Sequence, residues 1–314
     1  MAHVWTMGEL LCEIMRPGID MPLDKAGVFH GPFPSGAPAI FIDTIARLGH
    51  SAGIVGGVGK DDFGKCLTDR LEKDGVDCSQ VTQYDDGTTG VAFVTYFKDG
   101  SRRFLYHFPD TPATRPTAPD ISALGDDVRY FHIMGCSLAA KREFGLEILK
   151  LMRALAAKGA KISFDPNIRL ELMKNESGRQ MVLEVMELCN VFLPGVSELL
   201  KISRKDTVED AVKACFDNPA LEVIALKNGS NGCTVYTRND TVSLGVYTVP
   251  VIDSTGAGDC FDGAFLCGLL EGKSIRESAE IASAAAALNT AVLGPMEGDI
   301  SRETVEQIIA EQDL

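Results

Sequence analysis

The chain has 314 residues, of which 45% are hydrophobic and 24% charged, so it can bury a sizeable core and is not expected to be disordered. Its formal net charge of −14 disfavours nucleic acid and anionic membranes as partners. The nine cysteines are odd in number and form no Cys-x-x-Cys pair, which argues against a disulfide framework or a zinc site and favours reduced thiols in the cytoplasm.

The start of the chain, Met1 to Trp5, lacks a basic segment followed by an apolar run, so we expect no signal peptide. No apolar stretch approaches the ~20 residues that a membrane-spanning helix needs.

Short β-branched runs alternate with longer amphipathic runs along most of the chain. The predicted strands are Val4–Met7, Gly53–Gly57, Tyr130–Met134, Lys161–Phe164, Val191–Leu193 and Val223–Lys227. The predicted helices are Ala37–Leu48, Phe63–Asp74, Lys141–Lys158, Gln180–Cys189, Val208–Phe216, Cys260–Glu271 and Ile275–Leu293. This alternation predicts one α/β domain over residues 1–314, doubly wound around a mainly parallel sheet with helices on both faces.

Two segments break this rhythm. Leu10 to Phe33 is rich in Pro and Gly and has no helical period, and Thr88 to Phe108 alternates apolar and polar residues as a pair of strands does. We therefore predict that residues 10–33 and 88–108, approximately, form a small β-sheet that stands off the main domain.

A glycine-rich motif from Asp253 to Phe265 follows the strand-like stretch Leu244 to Val251 and leads into the helix Cys260–Glu271. A turn of this kind leaves unpaired backbone N–H groups at the start of the helix, and these groups and the helix dipole favour an anion. Asp259 places a second negative charge beside the bound anion, and such a charge does not help to bind the anion but can accept a proton. We therefore interpret Asp259 as a general base beside a phosphoryl-binding turn. The alternative is a tight turn in which Asp259 merely caps the helix.

The Asp253–Phe265 motif resembles the C-terminal signature of the ribokinase-like (PfkB-type) carbohydrate kinases. Other stretches resemble landmarks of the same family and occur in the family's order: Ser35–Ala39, Ala46–Gly49 with Gly56–Gly64, Phe164–Arg169, and Lys227–Gly232. The resemblance therefore covers nearly the whole chain.

The resemblance implies a ribokinase-like fold whose small β-sheet is a lid over the sugar and often a dimer interface. It also implies ATP and Mg²⁺ as cofactors. In such an enzyme Asp259 would take a proton from a sugar hydroxyl, while the backbone of Gly256, Ala257 and Gly258 would hold the γ-phosphoryl as charge builds on it.

The resemblance further implies binding roles for residues outside the motif. The residues expected at the sugar are Gly36, Ala37, Tyr106, His107 and Arg169, and those expected at the nucleotide are Lys227, Gly229, Gly232, Thr255 and Asn289. For Arg169, an ion pair at the protein surface is an alternative of equal weight to sugar binding.

Metal binding is the point at which this sequence departs from the family pattern. The family's Asn-x-x-Glu motif is matched by Gly195 to Glu198, so Glu198 is kept as a magnesium ligand while glycine replaces the asparagine. Asp253 and Thr255 match a site for a monovalent cation such as K⁺ in part of the family. Ile40 replaces an asparagine near the sugar-binding turn.

The predicted function is an ATP-dependent sugar kinase that phosphorylates a primary hydroxyl of a free ketohexose such as tagatose or fructose. The alternative is a 2-keto-3-deoxygluconate kinase, and a non-catalytic sugar sensor is an alternative of a different class. Kinases for such acids tend to carry an arginine in the lid where this chain has His107, which favours a neutral sugar. Arg102 and Arg103 lie nearby, and strand alternation directs one of them inward. The expected assembly is a cytoplasmic homodimer formed through the lid.

Overall fold

The structure is a computed structural model that describes residues 2–99, 101–168 and 176–312. The strands, in chain order, are β1 (Val4–Met7), β2 (Leu11–Ile19), β3 (His30–Ser35), β4 (Ala52–Gly59), β5 (Asp77–Tyr84), β6 (Gly90–Tyr96), β7 (Arg102–His107), β8 (Tyr130–Met134), β9 (Lys161–Asp165), β10 (Cys189–Phe192), β11 (Val223–Lys227), β12 (Cys233–Tyr236) and β13 (Thr241–Leu244). The helices are α1 (Ala37–Arg47), α2 (Asp62–Lys73), α3 (Gly135–Ala140), α4 (Arg142–Ala157), α5 (Glu176–Leu188), α6 (Val196–Ser203), α7 (Val208–Cys215), α8 (Ala257–Leu270), α9 (Ile275–Thr290) and α10 (Arg302–Glu311).

The main sheet contains nine of the described strands in the order β13-β12-β11-β10-β9-β8-β1-β4-β5. All neighbours from β11 to β5 are parallel, and β12 and β13 extend the sheet as antiparallel strands. Parallel strands place their carboxyl ends at one edge, which is where open α/β sheets bind ligands. The predicted fold class is confirmed.

Two apolar layers hold helices on the two faces of the sheet. On one face α1, α2, α8, α9 and α10 bury residues such as Phe41, Leu67 and Phe265, and on the other α4, α5, α6 and α7 bury residues such as Phe144 and Leu199. The strands are nearly continuous runs of buried apolar residues because both faces are covered.

A separate small sheet, with the strand order β3-β2-β6-β7, confirms the prediction from the segments that broke the α/β rhythm. Strand β2 pairs antiparallel with β3 and parallel with β6, and β6 pairs antiparallel with β7. We call this sheet the lid sheet, after its expected role.

Several of the strands and helices predicted from the sequence differ from those in the structure. The predicted strand Leu244–Val251 is wrong: β13 ends at Leu244, and residues 245–251 form no strand. Their apolar side chains line a cavity instead of packing on a sheet, which explains the misleading pattern. The predicted helix Ile275–Leu293 ends at Thr290, and β5, β12, β13, α3, α6 and α10 were not predicted.

Candidate active site

The glycine turn before α8 is shaped by a position that only glycine fits. Gly256 precedes the helix with φ of 80°, in the left-handed region, and a Cβ there would lie 2.5 Å from the carbonyl oxygen of Pro295. At Gly258, by contrast, a Cβ would meet no atom closer than Lys227 Nζ at 3.9 Å, which leaves room for a ligand to approach the backbone. Among the described residues no side chain caps α8, so its first N–H groups and its dipole favour an anion.

Asp259 is buried in the first turn of α8 and is held by a neighbouring strand end. Asn167, just beyond β9, donates from Nδ2 to Asp259 Oδ1 over 3.0 Å. Asn167 itself has a φ of 38°, and its backbone N–H donates to Asp165 Oδ1 over 3.0 Å. The orientation of the Asp259 carboxylate is therefore fixed by a side chain from another element, as a proton acceptor requires.

Two cavities, each of about 320 Å³, meet at this turn. The first, which we call the polar cavity, lies between the lid sheet and the carboxyl ends of the main strands. The second, the apolar cavity, lies between α8, α9 and the segment 245–252 that follows β13. Both are lined by Lys227, Gly229, Ser254 and Gly258, so a group at the turn is accessible from both sides.

The polar cavity contains several, though not all, of the residues predicted at the sugar. Gly36, Ala37 and Tyr106 line it together with Asp259. His107 is exposed and contributes to a depression on the other face of the lid sheet. Arg169 lies outside the described residues.

Strand alternation in β7 explains the separation of Tyr106 from His107. Arg102, Phe104 and Tyr106 line the polar cavity, whereas Arg103, Leu105 and His107 are exposed. Strand alternation predicted that one of Arg102 and Arg103 points inward, and the guanidinium that enters the cavity is that of Arg102.

Lys227, at the end of β11, forms ion pairs with two buried carboxylates. Its Nζ lies 3.0 Å from Asp165 Oδ2 and 2.8 Å from Asp262 Oδ2. Burial alone would lower the pKa of Lys227, but the two carboxylates outweigh it and raise that pKa. Lys227, which lies at the junction of the two cavities, therefore stays positively charged.

Glu198 lines the polar cavity near this cluster. Its Oε1 accepts the N–H of Ile168 over 2.7 Å, and its Oε2 accepts the N–H of Gly195 over 2.8 Å. Burial, followed by the charge of Asp165, raises the pKa of Glu198, while Lys227 and the two backbone N–H groups oppose the shift.

Asp253 and Thr255, predicted near a monovalent cation, are bonded to the lid sheet. The Tyr96 hydroxyl donates to Asp253 Oδ1 over 2.9 Å, and Arg102 Nη1 donates to Thr255 Oγ1 over 2.9 Å. The N–H of Gly294 donates to Asp253 Oδ2 over 3.1 Å. The small sheet is thereby joined to the segment that precedes the glycine turn.

Asn289, predicted at the nucleotide, is fully buried in α9. Its Nδ2 donates to the carbonyl oxygen of Thr255 over 2.7 Å, so it supports the glycine turn from behind, and it is not among the residues that line either cavity.

The apolar cavity contains the predicted loop glycines Gly229 and Gly232. Gly232 has a φ of 86°, and a Cβ there would lie 2.0 Å from the carbonyl oxygen of Leu244. Apolar side chains from segment 245–252 and from α8 and α9 supply most of the remaining lining: Val246, Tyr247, Val249, Val251, Phe261, Ala286 and Ala287. A flat apolar ring fits such a lining.

Sequence reasoning missed Glu9 and Asn167 because each follows a different strand. Glu9 follows β1, and Asn167 follows β9. The signal for Asn167 was present, since it lies in a stretch that resembles the family, but its bond to Asp259 joins residues 92 positions apart.

Metal clusters and membrane-spanning helices are both absent from the described part of the chain. There, no group of three or more His, Cys, Asp or Glu side chains is arranged to hold a metal ion. None of the helices described is long and apolar enough to cross a membrane.

Comparisons with known proteins agree with one another. The model of the family described as "pfkB family carbohydrate kinase" matches residues 33–301. Fructokinase-1 of Zea mays is 30% identical over 98% of this chain and 97% of its own length, and the fructokinase of Solanum tuberosum is 29% identical over 87% and 82%. A structure described as a "putative Ribokinase II" of E. coli, in complex with ATP and Mg²⁺, is 36% identical and superposes with a TM-score of 0.92 over 99% of this chain and 100% of that one.

Proposed function

This chain belongs to the pfkB family of carbohydrate kinases, and we propose that it transfers the γ-phosphoryl group of ATP to a primary hydroxyl of a free ketohexose such as fructose or tagatose. The family makes it a phosphotransferase, which argues against the alternative of a non-catalytic sugar sensor. The choice of a ketohexose is supported by relatives named fructokinase at about 30% identity over most of the chain.

The observation that carries the proposal is the meeting of the two cavities at the glycine turn. The polar cavity offers carboxylate, hydroxyl and amide groups of the kind that bind sugar hydroxyls, and the apolar cavity offers a slot for adenine. Gly258 and Lys227 line both. A γ-phosphoryl placed there is reached by the acceptor from one side and by ADP from the other.

Phosphoryl transfer then needs a proton acceptor and an anion site in that place. Asp259 accepts the proton of the sugar hydroxyl, with its carboxylate oriented by Asn167. The N–H groups at Gly256, Ala257 and Gly258 receive the phosphoryl oxygens at the positive end of α8, where developing negative charge is stabilised. Lys227 adds positive charge at the junction.

The nucleotide is held in this proposal by the apolar cavity, with Gly229 and Gly232 letting the backbone cover the phosphates. A magnesium ion fits beside Glu198, because that carboxylate lines the polar cavity with the glycine turn and because Mg²⁺ commonly takes one or two carboxylates plus phosphate oxygens and water. When bound, the ion neutralises phosphate charge.

Other predicted roles stay proposals. Gly36, Ala37 and Tyr106 contact the sugar in the polar cavity. Arg169 is kept as a proposed sugar contact, whereas His107, which lies on the opposite face of β7, is not. Asn289 acts on the nucleotide through Thr255 and the turn. Asp253 with Thr255 holds a monovalent cation such as K⁺.

A sugar acid is the second candidate acceptor, and one observation favours it. The guanidinium of Arg102 lines the polar cavity, and arginine is the side chain that best matches a carboxylate.

A substrate comparison separates the two candidates. We expect kcat/KM to be highest for fructose or tagatose when these are compared with 2-keto-3-deoxygluconate and fructose 6-phosphate at the same ATP and magnesium concentrations. If the sugar acid led by tenfold or more, about 1.4 kcal/mol of transition-state preference, the ketohexose assignment would be replaced by the second candidate.

We further propose a cytoplasmic homodimer that forms through the lid sheet. All nine cysteines are free thiols, which supports a reducing compartment. The lid sheet carries exposed apolar side chains, including Ile19 and Leu105, which support an interface.

A further inference from the structure

Arg102 extends from the first position of β7 into the polar cavity, which it lines together with Gly256, Gly258 and Asp259. Its Nη1 donates to Thr255 Oγ1 over 2.9 Å, next to the residue that begins the glycine turn. The guanidinium also lies 5.8 Å from the ring centroid of Phe104, the next residue of β7 that lines the cavity. Arg102 therefore reaches from the lid sheet to the place where the proposed phosphoryl group lies.

The charge of Arg102 is not matched by a carboxylate of the described chain. Within the part of the chain that the structure describes, no Asp or Glu oxygen forms an ion pair with Arg102, whereas Lys227 pairs with both Asp165 and Asp262. A guanidinium has five N–H donors, and the described contacts use one of them on a neutral hydroxyl. A positively charged fork with donors to spare, at the edge of an anion-binding turn, is suited to an incoming anion.

We propose that Arg102 is a catalytic residue that binds the phosphoryl group in transit, an inference that rests on the kinase function proposed above. The sugar oxygen forms a bond to phosphorus as the bond from phosphorus to the ADP oxygen breaks, and the hydroxyl proton goes to Asp259. Arg102 donates hydrogen bonds to the phosphoryl oxygens that face the lid sheet, while the N–H groups of the turn bind those that face α8. Arg102 keeps its protons throughout.

Placement on the lid sheet gives this contact a second consequence. The guanidinium reaches the phosphoryl group only while the lid sheet lies over the polar cavity. Transfer to the sugar in the covered cavity is then favoured over transfer to water in an open one.

The test compares Arg102→Gln with Arg103→Gln, because Arg103 is the next residue on the same strand and is exposed on the opposite face. We expect Arg102→Gln to lower kcat for the ketohexose by about 10²-fold, the typical effect of removing one donor to a developing anion, with KM for the sugar within about threefold. Arg102→Lys, which keeps the charge and loses the fork, should recover part of the loss. Arg103→Gln should stay within about twofold of the unmodified protein.

A binding measurement makes the inference independent of the sugar. We expect the Kd of inorganic phosphate, measured by calorimetry with MgADP present, to rise at least tenfold in Arg102→Gln and to be unchanged in Arg103→Gln. Thermal melting of each variant establishes that it is folded. If Arg102→Gln does not fold, the same phosphate-binding comparison is made with Arg102→Lys.

The outcomes separate the possible roles. A rise in KM alone, for a ketohexose or for 2-keto-3-deoxygluconate, would make Arg102 a sugar-binding or lid-fastening residue and overturn the proposal. If the unmodified protein phosphorylated no sugar, the kinase function would fail, and the phosphate measurement would still decide: equal affinities in the two glutamine variants would overturn the role of Arg102.

Discussion

Asp43 is a buried carboxyl group in α1 that lines neither cavity. Its Oδ1 has no hydrogen-bond partner among the described residues, and its Oδ2 lies 3.9 Å from both Arg47 Nη1 and Arg70 Nη2. Burial raises the pKa of Asp43 to about 8, although the two arginines oppose the shift. The protonated form is therefore favoured in the folded chain over most of the ordinary pH range.

The raised pKa of Asp43 predicts a loss of stability with rising pH. The folded chain binds this proton more tightly than the unfolded chain, so the stabilisation is complete below the unfolded pKa of about 4 and is lost as pH rises through about 8. We expect the melting temperature of Asp43→Asn to fall less between pH 6 and pH 9 than that of the unmodified protein. The control is Asp206→Asn, at an exposed carboxyl; parallel curves for all three proteins would contradict this account.

At the scale of single residues, the sequence predicted the role of Asp259 but not the side chain that orients it. Asp259 lies in a continuous motif, in which glycine spacing and the start of a helix indicate an anion site. The bond from Asn167 depends on β9 and α8 being neighbours, and no local pattern encodes that distance. For Arg102, strand alternation predicted that either this residue or Arg103 points inward, and the choice between them depends on which face of β7 covers the cavity.

At the scale of elements, segment 245–252 shows how a strand pattern arises without a strand. Val246, Val251 and Ile252 are exposed by 44%, 70% and 63%. Such β-branched residues are typical of strands, but β13 already forms the edge of the main sheet, and residues 245–252 pair with no described strand. The residue pattern therefore predicted a strand where the structure has none.

In the lid sheet, by contrast, the alternation of apolar and polar residues predicted both the strands and their pairing. Val94 and Phe104 pair across β6 and β7, in a register that keeps one face of the sheet toward the cavity. The other face carries Leu105, exposed by 47%. We therefore expect the outer face to be covered in the proposed homodimer.

A charge on that face tests the dimer. Light scattering of the unmodified protein is expected to give about twice the 33.7 kDa of one chain, and Leu105→Glu is expected to give the mass of one chain because it places charges in the interface. Leu146→Glu, at a leucine of α4 with 40% exposure, is the matched control and should stay dimeric. A single-chain mass for the unmodified protein would remove the dimer proposal, and two dimeric variants would place the interface elsewhere.

At the scale of the whole molecule, the site is assembled at one edge of the main sheet. Glu9, Cys136, Asn167 and Lys227 follow or end the parallel strands β1, β8, β9 and β11, and all four line the polar cavity. The sequence predicted parallel strands whose carboxyl ends share an edge. It could not give the strand order, because that order depends on how the helices pack on both faces.

The central claim is that this assembly transfers a phosphoryl group with Asp259 as the proton acceptor. The most direct measurement is the kcat of Asp259→Asn with ATP and a ketohexose, alongside the Kd for ATP, with Asp120→Asn as a control at an exposed carboxyl distant in sequence from the motif. The account predicts a fall in kcat of about 10²–10⁴-fold in Asp259→Asn, because the amide cannot accept the proton, with ATP affinity retained and Asp120→Asn unaffected. Turnover by Asp259→Asn within a few-fold of the unmodified protein would contradict it.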